Sequence, residues 1–193
     1  MFGIAKRATV VWLALAGVLG AQQPADPGQI RVVLRARLPA SGAAPRLTLA
    51  EQSFQASPDV PCFYQRRGFA PAWSSEGTLL PAAGELLAAL AAAADDGLRP
   101  EDYRVTALTR QVAEVRSHPD PGALADLDLL LSDAFLAFGS HLRHGKVNPA
   151  TLYQDCALGR DTTDLATVLE EALGARRVRA ALAGLAPPDR GYE

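Results

Sequence analysis

The sequence lacks an excess of basic charge, has few aromatic residues and contains only two cysteines. Its 193 residues include 19 Lys and Arg against 21 Asp and Glu, which gives a formal net charge of −2. A nucleic-acid-binding domain normally carries a basic excess, so no nucleic-acid partner is predicted. Aromatic residues make up 6% of the chain and hydrophobic residues 49%, so Ala and Leu supply most of the core. This composition excludes global disorder and favours helices over strands.

The common catalytic motifs are also missing. The chain has no Gly-x-Ser-x-Gly, no phosphate-binding glycine loop and no His-Glu-x-x-His. His141 and His144 are spaced to share a metal, but both fall in the last turn of a predicted helix, where the helix dipole favours a charged imidazole. Asp126 and Asp128 flank an apolar Leu127 and are given no acid–base role. The residues alone therefore predict no catalytic residue, no metal and no cofactor.

The N-terminal 21 residues have the three-part layout of a secretory signal peptide. Lys6 and Arg7 form a positive start, residues 8–19 form an apolar run, and cleavage is predicted near Gly20 or Ala21. The run is shorter than the roughly 20 residues that span a bilayer as a helix, so no stable membrane anchor is expected after cleavage. The alternatives are an uncleaved anchor and an incorrectly assigned start codon. The sequence predicts an exported protein of the periplasm or cell envelope.

Residues 22–57 are predicted to form a linker and a poorly defined N-terminal segment. Residues 22–28 are polar and contain two prolines, which is typical of a tether. Residues 30–38 fit either a short helix or a strand, because their apolar residues only partly alternate. Residues 47–49 are a weak strand candidate.

From residue 58 onward, apolar residues recur at helical spacing. Four helices are predicted from this spacing, and a fifth over residues 175–185. Thr78 is predicted to cap the first helix and Thr163 the fourth. Gly97 is predicted to end the first helix and Gly145 the third. The predicted class is mostly α: an irregular bundle of about five to seven helices, with a short β-hairpin as an option near the N-terminus. The four apolar stripes are Leu80, Ala83, Leu87, Leu90 and Ala94; Leu108, Val112 and Val115; Leu124, Leu127, Leu130, Leu131, Ala134, Phe135, Phe138 and Leu142; and Leu165, Val168, Leu169 and Leu173.

The two cysteines, Cys62 and Cys156, leave two alternatives open. In an exported chain they could form a disulfide, since the compartment permits it and two is the smallest even number. They could equally be two separate thiols. Neither has a local base that would activate it as a nucleophile.

Five segments of the second part of the chain resemble, in order, the scaffold domain of bacterial L,D-transpeptidases. They are FYQRRGFAPAW (residues 63–73), DGLRPEDY (96–103), DLDLLLSDAF (126–135), GKVNP (145–149) and LAGLAPP (182–188). The resemblance predicts a helical scaffold-like domain over residues 58–193. It assigns a structural rather than a catalytic role to Phe63, Tyr64, Trp73, Gly97, Leu98, Pro100, Tyr103, Asp128, Gly145 and Pro149.

The catalytic part of the resembled family is not found in this sequence. The family's catalytic domain has a Ser/Thr-His-Gly-Cys motif whose thiolate accepts an acyl group, and no such motif occurs here. The resemblance therefore implies a non-catalytic scaffold module for peptidoglycan cross-linking or remodelling. Such a module would be stand-alone or the N-terminal part of a truncated or split L,D-transpeptidase, with peptidoglycan or a separate catalytic chain as partner. The alternative is an exported enzyme of unknown chemistry that uses His141, His144 and nearby carboxylates.

Overall fold

The computed structural model describes residues 25–38, 44–145 and 164–186, and the fold of these residues is mostly α. The seven α-helices of this part of the chain confirm the predicted bundle, and hairpin β1–β2 confirms the predicted β-hairpin. The same residues include no helix that is both long and apolar enough to cross a membrane. In chain order the elements are α1 (Pro27–Arg37), β1 (Arg46–Leu49), β2 (Gln52–Gln55), α2 (Asp59–Arg66), β3 (Ser74–Ser75), β4 (Thr78–Leu79), α3 (Ala82–Ala91), two 3₁₀ turns (Ala93–Asp96 and Pro100–Tyr103), α4 (Val105–Ser117), α5 (Pro121–His144), α6 (Leu165–Gly174) and α7 (Val178–Ala183).

The longest helix, α5, is the centre of the core. Helices α1, α2, α3, α4 and α6 all pack against it, and every residue of its predicted apolar stripe is buried. It begins two residues before the predicted start at Ala123, because the Asp120 side chain accepts a hydrogen bond from the Ala123 N–H at 2.9 Å and Pro121 takes the first helical position. At its other end Gly145, with φ of 76°, follows the last turn as predicted.

Of the ambiguous residues 30–38, all but Leu38 are helical. Asp26 caps α1 by accepting a hydrogen bond from the Gly28 N–H, and Ile30 and Leu34 are fully buried in the core that α1 shares with α5. The prediction of a tether up to Gly28 is therefore wrong at its end, since the helix begins at Pro27. Residues 25–38 and 44–56 contribute to the same core as the later helices. The domain boundary at residue 58 stays a prediction.

Two short antiparallel hairpins use turns with left-handed backbone. In β1–β2 the turn residues are Ala50 and Glu51, with φ of 49° and 65°; in β3–β4 they are Glu76 and Gly77, with φ of 49° and 72°. Positive φ at both central residues is the requirement of the two-residue turn that matches strand twist. The prediction that Thr78 caps α3 is wrong, because Thr78 belongs to β4 and α3 starts only at Ala82.

The predicted buried face is confirmed for α4 and is only partly correct for α3. In α4 the predicted Leu108, Val112 and Val115 are all buried. In α3 Leu86 is buried where the prediction had Leu87, and Ala94 is exposed. After Ala91 the chain continues as a 3₁₀ turn, whose tighter winding buries Ala93 rather than the predicted Ala94.

The last two helices differ from the prediction mainly at their ends. Asp164 caps α6 by accepting hydrogen bonds from two backbone N–H groups of its first turn, while the predicted cap Thr163 lies outside the described residues. Leu165 and Leu169 are buried as predicted. Helix α7 is shorter than the predicted 175–185, because Arg176 has a φ of 53° and interrupts the helical path before it.

Candidate functional site

The most concentrated polar chemistry lies in the core, in a set of four side chains that we call the polar network: Tyr64, Trp73, Asp128 and Ser132. Tyr64 belongs to α2, Trp73 immediately precedes β3, and Asp128 and Ser132 lie four residues apart on α5. A spacing of four places two side chains on the same helix face. All four are buried, with at most 1% of the residue surface exposed.

The Asp128 carboxylate accepts three hydrogen bonds. Its Oδ1 accepts from the Tyr64 hydroxyl at 2.6 Å and from the Ala72 N–H at 2.8 Å, and its Oδ2 accepts from the Trp73 N–H at 2.9 Å. The Ser132 Oγ lies 2.9 Å from the Tyr64 hydroxyl and accepts from the Trp73 indole N–H at 2.9 Å. Two backbone donors and two aromatic side chains are thus satisfied away from water, where an unpaired polar group is costly. The polar network joins α2, the chain before β3 and α5.

Burial dominates the titration of this network. Desolvation raises the pKa of Asp128 above its ordinary value, although the hydrogen bonds from Tyr64, Ala72 and Trp73 act in the opposite direction. The pKa of Tyr64 is raised well above its usual range, first by burial and then by the neighbouring Asp128. Neither side chain is accessible to a substrate in this arrangement.

A second buried carboxylate, Asp133, binds the backbone just before α2. Its Oδ1 accepts a hydrogen bond from the Ser57 N–H at 2.6 Å, two residues before α2 begins. Burial raises the pKa of Asp133, and the Arg104 guanidinium opposes this shift. Arg104 in turn lies over the ring of Phe54 in β2, 3.6 Å from its centroid.

Tyr103 contacts His141, one of the two candidate histidines. The Tyr103 hydroxyl lies 2.9 Å from Nδ1 of His141, and its ring packs edge-on against Phe138 with centroids 4.9 Å apart. Burial raises the pKa of Tyr103 to about 12, and the nearby Asp102 adds to the shift. His144 is exposed in the last turn of α5. Across residues 25–38, 44–145 and 164–186, no three His, Cys, Asp or Glu side chains are grouped to hold a metal ion.

The polar network and the Tyr103–His141 contact both fall within a region that a known family shares. The family model described as Scaffold domain matches residues 58–193. The chain belongs to the Scaffold domain family. The match is consistent with the resemblance of these residues to the L,D-transpeptidase scaffold domain. No curated protein and no solved structure matches the chain.

Other residues to which the resemblance assigns a structural role lie at packing and turn positions. Phe63 packs edge-on against Tyr64, with ring centroids 5.1 Å apart, and is buried. Gly97, with φ of 70°, ends the first 3₁₀ turn, and Leu98 after it packs against the core. Pro100 opens the second 3₁₀ turn, where its fixed φ and missing N–H cost nothing. Pro149 lies outside the described residues.

Only one of the two cysteines of the Scaffold domain can be placed. Cys62 lies on α2 and is exposed, and Cys156 lies outside the described residues. Their pairing stays a prediction.

Sequence reasoning missed how Scaffold domain residues Ser132 and Asp133 are used. The resemblance gives Asp128 a structural role, but its three bonding partners are distant in sequence. The available signal was local: Asp128, Ser132 and Asp133 are polar residues inside a run of leucines that periodicity places in the core. A buried polar residue requires a hydrogen-bond partner, so each of the three predicts a contact with another element.

Proposed function

We propose that this chain is a non-catalytic scaffold module that acts in peptidoglycan cross-linking or remodelling. Its membership of the Scaffold domain family supports the scaffold role. The link to peptidoglycan is supported by the resemblance to the scaffold domain of L,D-transpeptidases. The module would act by binding peptidoglycan, a separate L,D-transpeptidase catalytic chain, or both.

The observation that carries the proposal is the use of polar residues on α5. Asp128, Ser132 and Asp133 are all buried, and each bonds to a group on another element of the fold. A general acid or base must come within hydrogen-bond distance of the proton that it transfers, which the buried Asp128 carboxylate, already bonded to three donors, cannot do. The buried polar side chains of α5 thus support the fold, and this favours a module whose function is binding.

An exported enzyme that uses His141 and His144 is the alternative. His141 Nδ1 contacts the Tyr103 hydroxyl, and His144 is exposed one turn later on α5. No observation on these residues favours the enzyme over the scaffold. Turnover of isolated stem peptides by the purified chain would favour it.

Binding to the cell wall is the direct test of the scaffold proposal. We expect the purified protein to cosediment with isolated peptidoglycan sacculi and to form no cross-linked product from stem tetrapeptides. Cross-linked product formed by this chain alone would overturn the non-catalytic assignment. Failure to bind either sacculi or any L,D-transpeptidase would overturn the role in peptidoglycan.

Export is part of the proposal and has its own test. The positive, apolar and small-residue parts of residues 1–21 support cleavage by a signal peptidase near Gly20 or Ala21. N-terminal sequencing of the protein recovered from envelope fractions should find a chain that begins near residue 21 or 22. A cytoplasmic product that retains Met1 would contradict export.

A further inference from the structure

A cavity of about 420 Å³ lies between the β3–β4 hairpin and the connection from α4 to α5. We call it the hairpin groove. Leu79 and Pro81 line it from the hairpin side, and Val115 and Pro119 from the side of α4. Its volume falls within the range of roughly 300–1,000 Å³ that is typical of small-ligand sites.

The hairpin wall of the groove is held in place by the polar network. Asp128 binds the backbone N–H groups of Ala72 and Trp73, and the Leu80 N–H donates to the Trp73 carbonyl oxygen at 2.8 Å, which closes the base of the hairpin. At the tip, Gly77 approaches the backbone of Ala25 so closely that a Cβ would overlap its nitrogen and carbonyl oxygen. A wall fixed at both ends keeps the groove formed before a ligand arrives, which lowers the cost of binding.

Among the residues that the structure describes, the groove has one cation in its lining and no anion. Arg116 is that cation, no described Asp or Glu lines the groove, and Thr78 contributes a hydroxyl group. Arg116 is exposed and forms no ion pair with any residue of the described ranges. A guanidinium remains charged at all ordinary pH values and matches a carboxylate with two parallel hydrogen bonds. A carboxylate ligand would therefore meet a complementary charge that the fold itself does not use.

The cavity beside α2 and α6 provides a contrast. It is also partly apolar, but its arginines are paired: Arg66 with Asp164 and Arg67 with Glu170. An anionic ligand there would have to compete with carboxylates of the protein. No carboxylate of the described ranges lines the hairpin groove, and this difference distinguishes it from the cavity beside α2 and α6.

We propose that the hairpin groove binds the carboxyl terminus of a short peptide whose last residue has a small apolar side chain, and that Arg116 receives the terminal carboxylate. Leu79, Pro81 and Pro119 would contact that apolar side chain. Resting on the proposed function, the occupant is the stem peptide of peptidoglycan, which ends in alanine. The groove would then be the surface through which the module meets its polymer.

The test is a binding titration of the full chain with the isolated stem tetrapeptide, in which binding is measured by calorimetry or from NMR chemical shifts. Arg116→Gln should raise the Kd at least about tenfold, which corresponds to about 1.4 kcal/mol. Arg110→Gln is the matched control, because Arg110 is an exposed arginine on the same helix that does not line the groove, and it should leave the Kd unchanged. Equal affinities of the two variants would overturn the assignment of Arg116.

The C-terminal amide of the same tetrapeptide tests the partner atom. The wild-type chain should bind the amide as weakly as Arg116→Gln binds the acid. Arg116→Gln should bind the acid and the amide equally, because amidation of the peptide and substitution of Arg116 remove the same interaction. Equal binding of acid and amide by the wild type would mean apolar recognition alone and would overturn the proposal.

Sacculi separate this proposal from the function on which it rests. If sacculi bind but the tetrapeptide does not, the groove proposal fails while the scaffold function stands. If the tetrapeptide binds through Arg116 but the protein binds neither sacculi nor any L,D-transpeptidase, the groove stands as a peptide-carboxylate site and the peptidoglycan role fails. The thermal midpoints of both variants should match the wild type, because both side chains are exposed.

Discussion

Replacing Asp128 by Asn should be among the most destabilising conservative changes in this chain. The carboxylate accepts from three donors: the Tyr64 hydroxyl and the N–H groups of Ala72 and Trp73. An amide keeps the shape of the side chain but has one acceptor oxygen and one donor nitrogen. Whichever way it is oriented, the amide NH₂ faces at least one buried donor, so a hydrogen bond becomes a donor–donor contact.

The magnitude follows from the hydrogen bonds that the amide cannot make. A hydrogen bond to a charged group contributes about 1.5–3 kcal/mol, and a buried donor left without a partner costs about 1–3 kcal/mol. Because these costs overlap, we expect the free energy of unfolding to fall by about 3 kcal/mol. For a domain of 150–250 residues, a loss of 1 kcal/mol lowers the Tm by about 2–4 °C, so the midpoint should fall by about 6–12 °C.

Asp126→Asn is the matched control. Asp126 lies two residues earlier on α5 and pairs with Arg37, at 2.9 Å, where both side chains are largely exposed to solvent. An exposed pair contributes about 0–1 kcal/mol, so this variant should be close to the wild type. Urea unfolding followed by circular dichroism at neutral pH measures both. If the two variants differ by less than about 1 kcal/mol, the argument that Asp128 satisfies three buried donors is wrong.

Three further predictions test other parts of the structure. Gly77→Ala should destabilise the fold by about 2 kcal/mol or more, since left-handed backbone alone costs a non-glycine residue about 1–2 kcal/mol and the new Cβ also overlaps a neighbouring backbone. The control is Gly84→Ala, at a helical position with open space, which should stabilise the fold by about 0.5–1 kcal/mol. Equal effects of the two substitutions in thermal melts would refute this account. Burial raises the pKa of Asp133 above its ordinary 3.8, so its titration favours folding below pH 3.8, and this contribution is lost as the pH rises through the raised pKa of the folded state. The stability of the wild type relative to Asp133→Asn should therefore decrease from acid towards neutral pH in urea titrations, and a relative stability that increases with pH would contradict it. For Cys62 and Cys156, thiol titration of the denatured, unreduced exported protein should find no free thiol if they are paired, and two free thiols would refute the disulfide.

The helices were predictable where burial is one-sided, because a helix that buries one face repeats its apolar residues every three or four positions. Helix α4 follows this rule, and its buried stripe contains the predicted residues. Helix α5 is buried on most of its sides, so its predicted stripe is only a part of its buried surface. The ends were less predictable. Thr78 lies in strand β4 of the second hairpin. It was predicted as a helix cap because a polar residue before an apolar stripe is typical of a cap as well.

The contacts of the candidate site were beyond sequence reasoning for a different reason. The partners of Asp128 are 55, 56 and 64 positions away in the chain, so no local pattern relates them. The same holds for the hairpin groove, whose walls come from β4 and α4. What the sequence did contain was the anomaly of a carboxylate within a leucine run. That anomaly predicts that a partner exists without identifying it.

Helix α1 lies outside the part of the chain that matches the family model, yet it covers part of α5. Its Ile30 and Leu34 are fully buried, and burying each such side chain contributes about 1.5–3 kcal/mol. A fragment that begins at residue 58 would forgo about 3–6 kcal/mol, against a typical total stability of about 5–15 kcal/mol. It would also expose the apolar surface of α5 to solvent, where such a patch promotes aggregation. Recombinant fragments should therefore begin before Asp26, which caps α1, rather than at the start of the family match.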